Sequence, residues 1–136
     1  CPCNSICNPA CDANRIMIEQ LISRVFYARN LAQFAHWRAK GEGSFAEHDA
    51  LGEFYEEVID TIDPLVEAYQ GAYDLIGAIP VPEEMQKDIL KCLQSDAAWI
   101  EANHDKISKG NRAVGNLIDT VTGVYLSAIY KLRNLR

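Results

Sequence analysis

Four stretches of this chain carry apolar residues at helical period, separated by breaks rich in glycine and proline. Ile18, Leu21, Ile22, Val25, Ala28, Ala32 and Ala35 form the first stripe. Leu51, Tyr55, Val58, Ile62, Leu65, Tyr69, Ala72 and Ile76 form the second. Met85, Ile89, Leu93, Ala97, Ile100 and His104 follow, and then Val114, Leu117, Ile118, Val121, Val124, Tyr125, Ala128, Ile129 and Leu132. Each helix with one apolar stripe must bury it against others, so the expected fold is all-α, an antiparallel, up-down four-helix bundle. The expected division is an irregular segment over residues 1–14 and one bundle over residues 15–136.

Local signals place the helix ends. Asp12 or Asn14 caps the first helix, which runs to about Arg38. Ser44 with Glu47 forms a capping box, which starts the second helix near residue 45. Pro64 removes a backbone hydrogen bond from that helix, so a kink is expected directly after Asp63. Gly77, Pro80 and Pro82 predict a short connection over residues 77–81 and a third helix from about 82 to 108. Gly110-Asn111 then breaks the chain before a fourth helix, from about 112 to 133. Gly115 and Gly123 weaken that last helix unless close helix contacts compensate. Arg24, Arg29 and Gln33 alternate with the first stripe and are assigned to a solvated or interface face, as are Glu53, Glu56, Glu57 and Asp60 on the second helix.

Four residues of the first two helices carry chemistry. His36, His48, Asp63 and Glu67 are two imidazoles and two carboxylates, donors that suit iron or zinc. His36 precedes the Gly41/Gly43 turn and His48 follows it, so both sit at one end of a helical hairpin. Asp63 and Glu67 are one turn apart and share a face. At 1.5 Å per residue, about 22 Å of helix separates His48 from Asp63. One chain cannot bring all four to one ion, whereas two chains packed head to tail can. The spacing therefore suggests a metal site between subunits of a homo-oligomer.

The run HW-x3-G-x6-H-x14-D-x3-E resembles the signature of the Dps family, the mini-ferritins of the ferritin-like superfamily. His36, Trp37, Lys40, Gly41, Phe45, His48, Asp63 and Glu67 fall in its register without a gap, and Ala128-Ile129-Tyr130-Lys131-Leu132-Arg133 is similar to the end of the family's last helix. The likeness covers about residues 16–136, and the stretch from Glu42 to Tyr73 is similar to short Dps-like proteins encoded by bacteriophages. The resemblance implies a ferroxidase. His36 and His48 would hold Fe(II), Asp63 would bind it from the two-fold partner, and Glu67 would bridge to a second iron, with zinc as an alternative occupant and iron storage as a further role. Gly52 stands near where the family can carry an extra acid, so the second iron would be weakly held. Trp37 is assigned to packing, with radical interception as its other role in such a site. The family's small helix between the second and third helices is missing from the pattern, which puts the usual twelve-subunit shell in question. The competing reading is a non-enzymatic phage or virion assembly protein built on the same bundle.

Composition limits the remaining classes. The length of 136 residues suits one domain with a proper core. No apolar run reaches the roughly 18 residues that span a membrane. A net charge of −6 repels phosphate backbones, so no nucleic-acid partner is expected. A cytoplasmic location, in a bacterium or an infected host, fits these features, with the virion as alternative. Cys1, Cys3, Cys7 and Cys11 lie in an irregular, polar segment. Their spacing matches no common zinc or iron–sulfur pattern, so a reduced tail, a disulfide cross-link and a metal site all stay open. A Cys at residue 1 is expected from removal of a start Met, from processing, or from an incomplete sequence, and a lipid anchor there lacks a signal segment. Cys92 is expected to be a buried thiol, Trp99 a packing residue, and His104 a surface or capping residue rather than a ligand.

Overall fold

A computed structural model describes residues 17–82 and 86–135 of the chain. The tail cysteines, the cap of the first helix and Met85 lie outside the described residues. The described residues form an all-α bundle of four helical arms. These are α1 (Met17–Arg38), a second arm made of α2 (Ser44–Asp60) and α3 (Ile62–Ala72), α4 (Ile89–Ser108) and α5 (Arg112–Asn134). The apolar stripes meet in one core whose largest fully buried side chains include Tyr125, Phe54, Leu21, Leu51, Leu65, Leu93, Ile100, Ile118 and Leu132.

The main packed pairs are α1 with α2, α2 with α5, α5 with α4, and α4 with α1, a closed square. The end of α4 lies beside the end of α3, because the Tyr73 hydroxyl donates to the Ser108 carbonyl and Lys109 donates to the Tyr69 hydroxyl. The second arm and α4 therefore run in the same direction, on opposite corners. This corrects the simple up-down order expected from short connections. The bundle has one crossover, the connectivity of ferritin-like folds.

The crossover is longer than the sequence suggests. The second arm ends at Ala72 and α4 starts only at Ile89, where the Asp88 side chain caps by accepting from the Lys91 N–H at 3.0 Å. Among the described residues between them, none is helical. Three side chains of α1, one turn apart in succession, pin this strap. Glu19 Oε1 accepts from the Gly77 N–H at 2.7 Å, Ser23 Oγ donates to the Pro80 carbonyl at 2.7 Å, and the Tyr27 hydroxyl donates to the Gln86 carbonyl at 2.6 Å. Ile76, which prolongs the helical period of the second stripe, packs on the core from this extended segment. An apolar residue in a pinned strap imitates one more helical turn, so periodicity overran the helix end.

The second arm breaks at Thr61, before Pro64 and not after Asp63. A proline ring clashes with the carbonyl four residues earlier, here that of Asp60, so distortion falls on the preceding turn. Thr61 closes that turn with its N–H and its hydroxyl on the Val58 carbonyl, at 3.2 and 2.6 Å. The expected capping box is also displaced. Gly43, in the left-handed conformation (φ 78°), takes the cap position of α2, and no side chain caps the helix there. Ser44 is already helical.

Candidate metal centre

His36 sits in the last turn of α1 and His48 in the second turn of α2, and the Gly41/Gly43 turn folds the helices back so that the imidazoles meet. Their rings stack with centroids 3.5 Å apart and planes 20° apart. The backbone contacts are reciprocal. His36 Nδ1 donates to the His48 carbonyl at 2.7 Å, and His48 Nδ1 donates to the His36 carbonyl at 3.0 Å. The His36 carbonyl is one of the four that the end of α1 leaves without a helical partner, so the second bond also caps α1.

That geometry fixes the tautomer. A carbonyl only accepts, so each Nδ1 carries the proton, and in the neutral rings each Nε2 is left with a bare lone pair. Metal-binding histidines are oriented in this way, by a second-shell acceptor on the other ring nitrogen. Gly52 makes room for the pair: a Cβ there would lie 3.3 Å from His36 Cε1. The Tyr55 and His36 rings meet in a T-shaped contact with centroids 5.3 Å apart, and the Arg29 guanidinium lies over Tyr55 at 5.6 Å.

Asp63 and Glu67 are exposed on α3, remote from the histidines along the second arm. Within one copy and among the described residues, no three histidine, cysteine or acidic side chains gather around a common point. The structure thus brings together His36 and His48 and leaves the two carboxylates on their own. Trp37 is not a buried packing residue; it is 66% exposed, and the ring of Phe34, itself exposed, lies 6.1 Å from it.

His104 is partly buried and committed elsewhere. Its Nδ1 donates to Asp105 at 2.9 Å, and its Nε2 faces the Gly115 carbonyl at 3.1 Å and Asp119 at 3.0 Å. Gly115 allows this approach, since a Cβ would lie 3.2 Å from His104 Cε1. Both ring nitrogens donate only in the imidazolium form. The hydrogen bond to Asp105 raises the His104 pKa, burial opposes it, and the Gly115 carbonyl and the charges of Asp119 and Asp105 add to the rise. The folded chain therefore holds this proton more tightly than the unfolded chain. The clasp between α4 and α5 contributes fully below about pH 6.5, the ordinary histidine value, and is lost as pH rises through the folded value. Between about pH 6 and pH 8 the melting temperature should fall more steeply for the wild type than for His104→Gln. Parallel profiles would show that the clasp does not stabilise the fold.

Sequence reasoning missed the polar centre of the core. Asp96 is 4% exposed, accepts from Arg24 Nη1 at 3.0 Å and from the Tyr125 hydroxyl at 2.9 Å, and lies 3.9 Å from Cys92 Sγ. Arg24 is thus no free surface residue; it also lies over the Trp99 ring at 4.7 Å. Burial pushes the Cys92 thiol up to about 12, so it stays protonated, as expected of a buried thiol. The visible signal was an aspartate on the apolar stripe of α4, between Leu93 and Ile100.

Fold and site together define a single-crossover four-helix bundle with a pinned pair of imidazoles at the turn end of its first hairpin. A family described as "Family of unknown function (DUF5856)" matches residues 36–132, and the chain belongs to it. The matched span starts at His36 and contains His48, Asp63 and Glu67. No curated protein and no solved structure matches the chain. Among the described residues no helix is long and apolar enough to cross a membrane.

Proposed function

We propose that two copies of this chain bind and oxidise Fe(II) at a shared site, as the resemblance to the Dps mini-ferritins implies. The observation that carries the reading is the stacked histidine pair, with both Nδ1–H groups spent on carbonyls and both Nε2 atoms left as donors. The reciprocal bonds hold the same nitrogen of both rings protonated, which leaves two unprotonated donors at one end of the hairpin.

The surface beside the pair fits a second copy. A two-fold axis between Tyr55 and Glu56 on antiparallel α2 helices sets His48 of one copy opposite Asp63 of the other, with Glu67 one turn beyond. It also sets Gly52 opposite Ile59. Half-buried Tyr55 and Ile59 lie along this face, and Phe45 near the pair is 78% exposed. Isologous contacts of this kind form each site twice. The imidazoles supply neutral donors, and the carboxylates supply charge. Coulomb attraction grows with the charge of the ion, so the carboxylates favour Fe(III) over Fe(II) and assist loss of the electron to an external oxidant. A second, weaker iron at Glu67 and storage of the product extend the same reading.

The test is the rate of Fe(III) formation, followed by absorbance, for the protein against buffer. Zn(II), which shares the donor preference and has no redox chemistry, should suppress it. Gly52→Ala gives a finer check. The substitution favours the helix by up to about 1 kcal/mol yet crowds His36 Cε1. We expect a stability equal to or above wild type and a weaker Zn(II) affinity by titration calorimetry; unchanged affinity would mean that the His36 ring position does not matter.

A further inference from the structure

The outward face of α5 carries Asp119, Gly123, Leu126, Tyr130 and Arg133, all exposed and within an arc of about 80° of the helix. Leu126 is 54% and Tyr130 57% exposed, although the opposite face of the same helix buries Val121, Tyr125, Ala128 and Leu132 in the core. Gly123 is the unexplained residue of this face. Glycine in a helix interior costs about 1 kcal/mol relative to alanine. Gly52 and Gly115 recover that cost by admitting His36 and His104. A Cβ on Gly123 would meet nothing within 4 Å, and its φ is not positive. Neither packing among the described residues nor backbone conformation uses the missing side chain. A bare backbone one turn before two exposed apolar side chains suits close approach by another helix.

The charges identify that helix. Asp119 stands seven residues before Leu126 and Arg133 seven residues after it. When a second α5 lies antiparallel about a two-fold axis at Leu126, Asp119 of each copy faces Arg133 of the other. The two Leu126 side chains meet on the axis. Tyr130 of one copy falls opposite Thr122 and over the bare Gly123 of the other. One face thus complements itself in shape and charge, as an isologous contact requires. Asp119 keeps an oxygen for this pairing, since its contact with His104 uses Oδ1. We propose that the outward face of α5 is a self-association surface, on which a second copy of this chain docks antiparallel about Leu126. It is separate from the histidine face, which lies on the α1–α2 hairpin.

Sedimentation velocity across a concentration series tests this on the full chain. A Cβ at Gly123 meets nothing within 4 Å among the described residues and arginine improves helix propensity, so the melting temperature of Gly123→Arg should equal or exceed that of wild type, while the association step through α5 is lost. Asp119→Arg and Arg133→Asp should each weaken that step, and the double exchange should restore it. Restoration by the exchange also decides the matter should Gly123→Arg fail to fold. His36→Ala/His48→Ala should leave the step intact, which separates it from the metal reading. A wild type that stays monomeric throughout, or a folded Gly123→Arg variant that sediments as wild type, overturns the proposal, as does a double exchange no better than the single variants.

Discussion

His36→Ala/His48→Ala should reduce Fe(II) oxidation to the rate in buffer while the bundle stays folded. The loss is large because both Nε2 donors go at once. Removing an outer-shell partner alone costs about 10- to 100-fold in metal affinity, and these are the first-shell donors. The fold survives because neither ring is part of the buried core; His48 is exposed and His36 half-buried. The carbonyls released from the rings face solvent and find water. A mixing experiment locates the carboxylates. Asp63→Asn/Glu67→Gln should be as inactive as the histidine variant. Unfolding and refolding the two together should recover activity, because hybrid pairs contain one site with all four native groups. Equal oxidation by wild type and the histidine variant would sink the enzyme reading, and an assembly or scaffold role would take its place. Inactivity that mixing does not relieve would sink the shared site.

Arg24→Ala should cost about 3 kcal/mol of stability, a large fraction of the 5–15 kcal/mol typical of a domain. Asp96 lies in the middle of the bundle with two strong partners. Burial raises its pKa, while the hydrogen bonds from Tyr125 and Arg24 pull it down. Without the guanidinium, a carboxylate stays buried with the weakly donating Cys92 thiol and the Tyr125 hydroxyl, whose own pKa is driven well above the ordinary value and which therefore remains a donor. Breaking a buried pair in this way costs about 3–5 kcal/mol, and the lower end applies because the Arg24 side chain is 36% accessible. Urea unfolding should show a lower midpoint with an unchanged slope. Adding Asp96→Asn should recover part of the loss, since the uncompensated charge is then gone. A drop below about 1 kcal/mol would show that Asp96 is held without Arg24.

Much of this was legible because helical period and local capping act over a few residues. The stripes through Leu21, Leu51, Leu93 and Ile118 were visible as such, as were the turn at Gly41–Gly43 and the chain break before Arg112. The register of His36 and His48 about that turn already put them at one end of a hairpin. What lay beyond reach depends on contacts between segments distant in sequence. Arg24 and Asp96 are 72 residues apart, and only packing of α1 on α4 turns a surface-looking arginine into a core ion pair. Glu19, Ser23 and Tyr27 form an unremarked polar row until the strap crosses them.

Four amphipathic stripes, two glycines in a turn and a proline in the second arm determined by themselves that the chain folds as an all-α bundle with its two histidines side by side. Each of those outcomes follows from backbone sterics and from burying one face per helix. Tertiary structure alone decided two further matters. It set the direction of α4, because the strap that reverses it is held by side chains of another helix. It also committed the ring nitrogens of His36 and His48, because a tautomer is fixed by whichever carbonyl stands opposite, and that carbonyl belongs to the neighbouring helix.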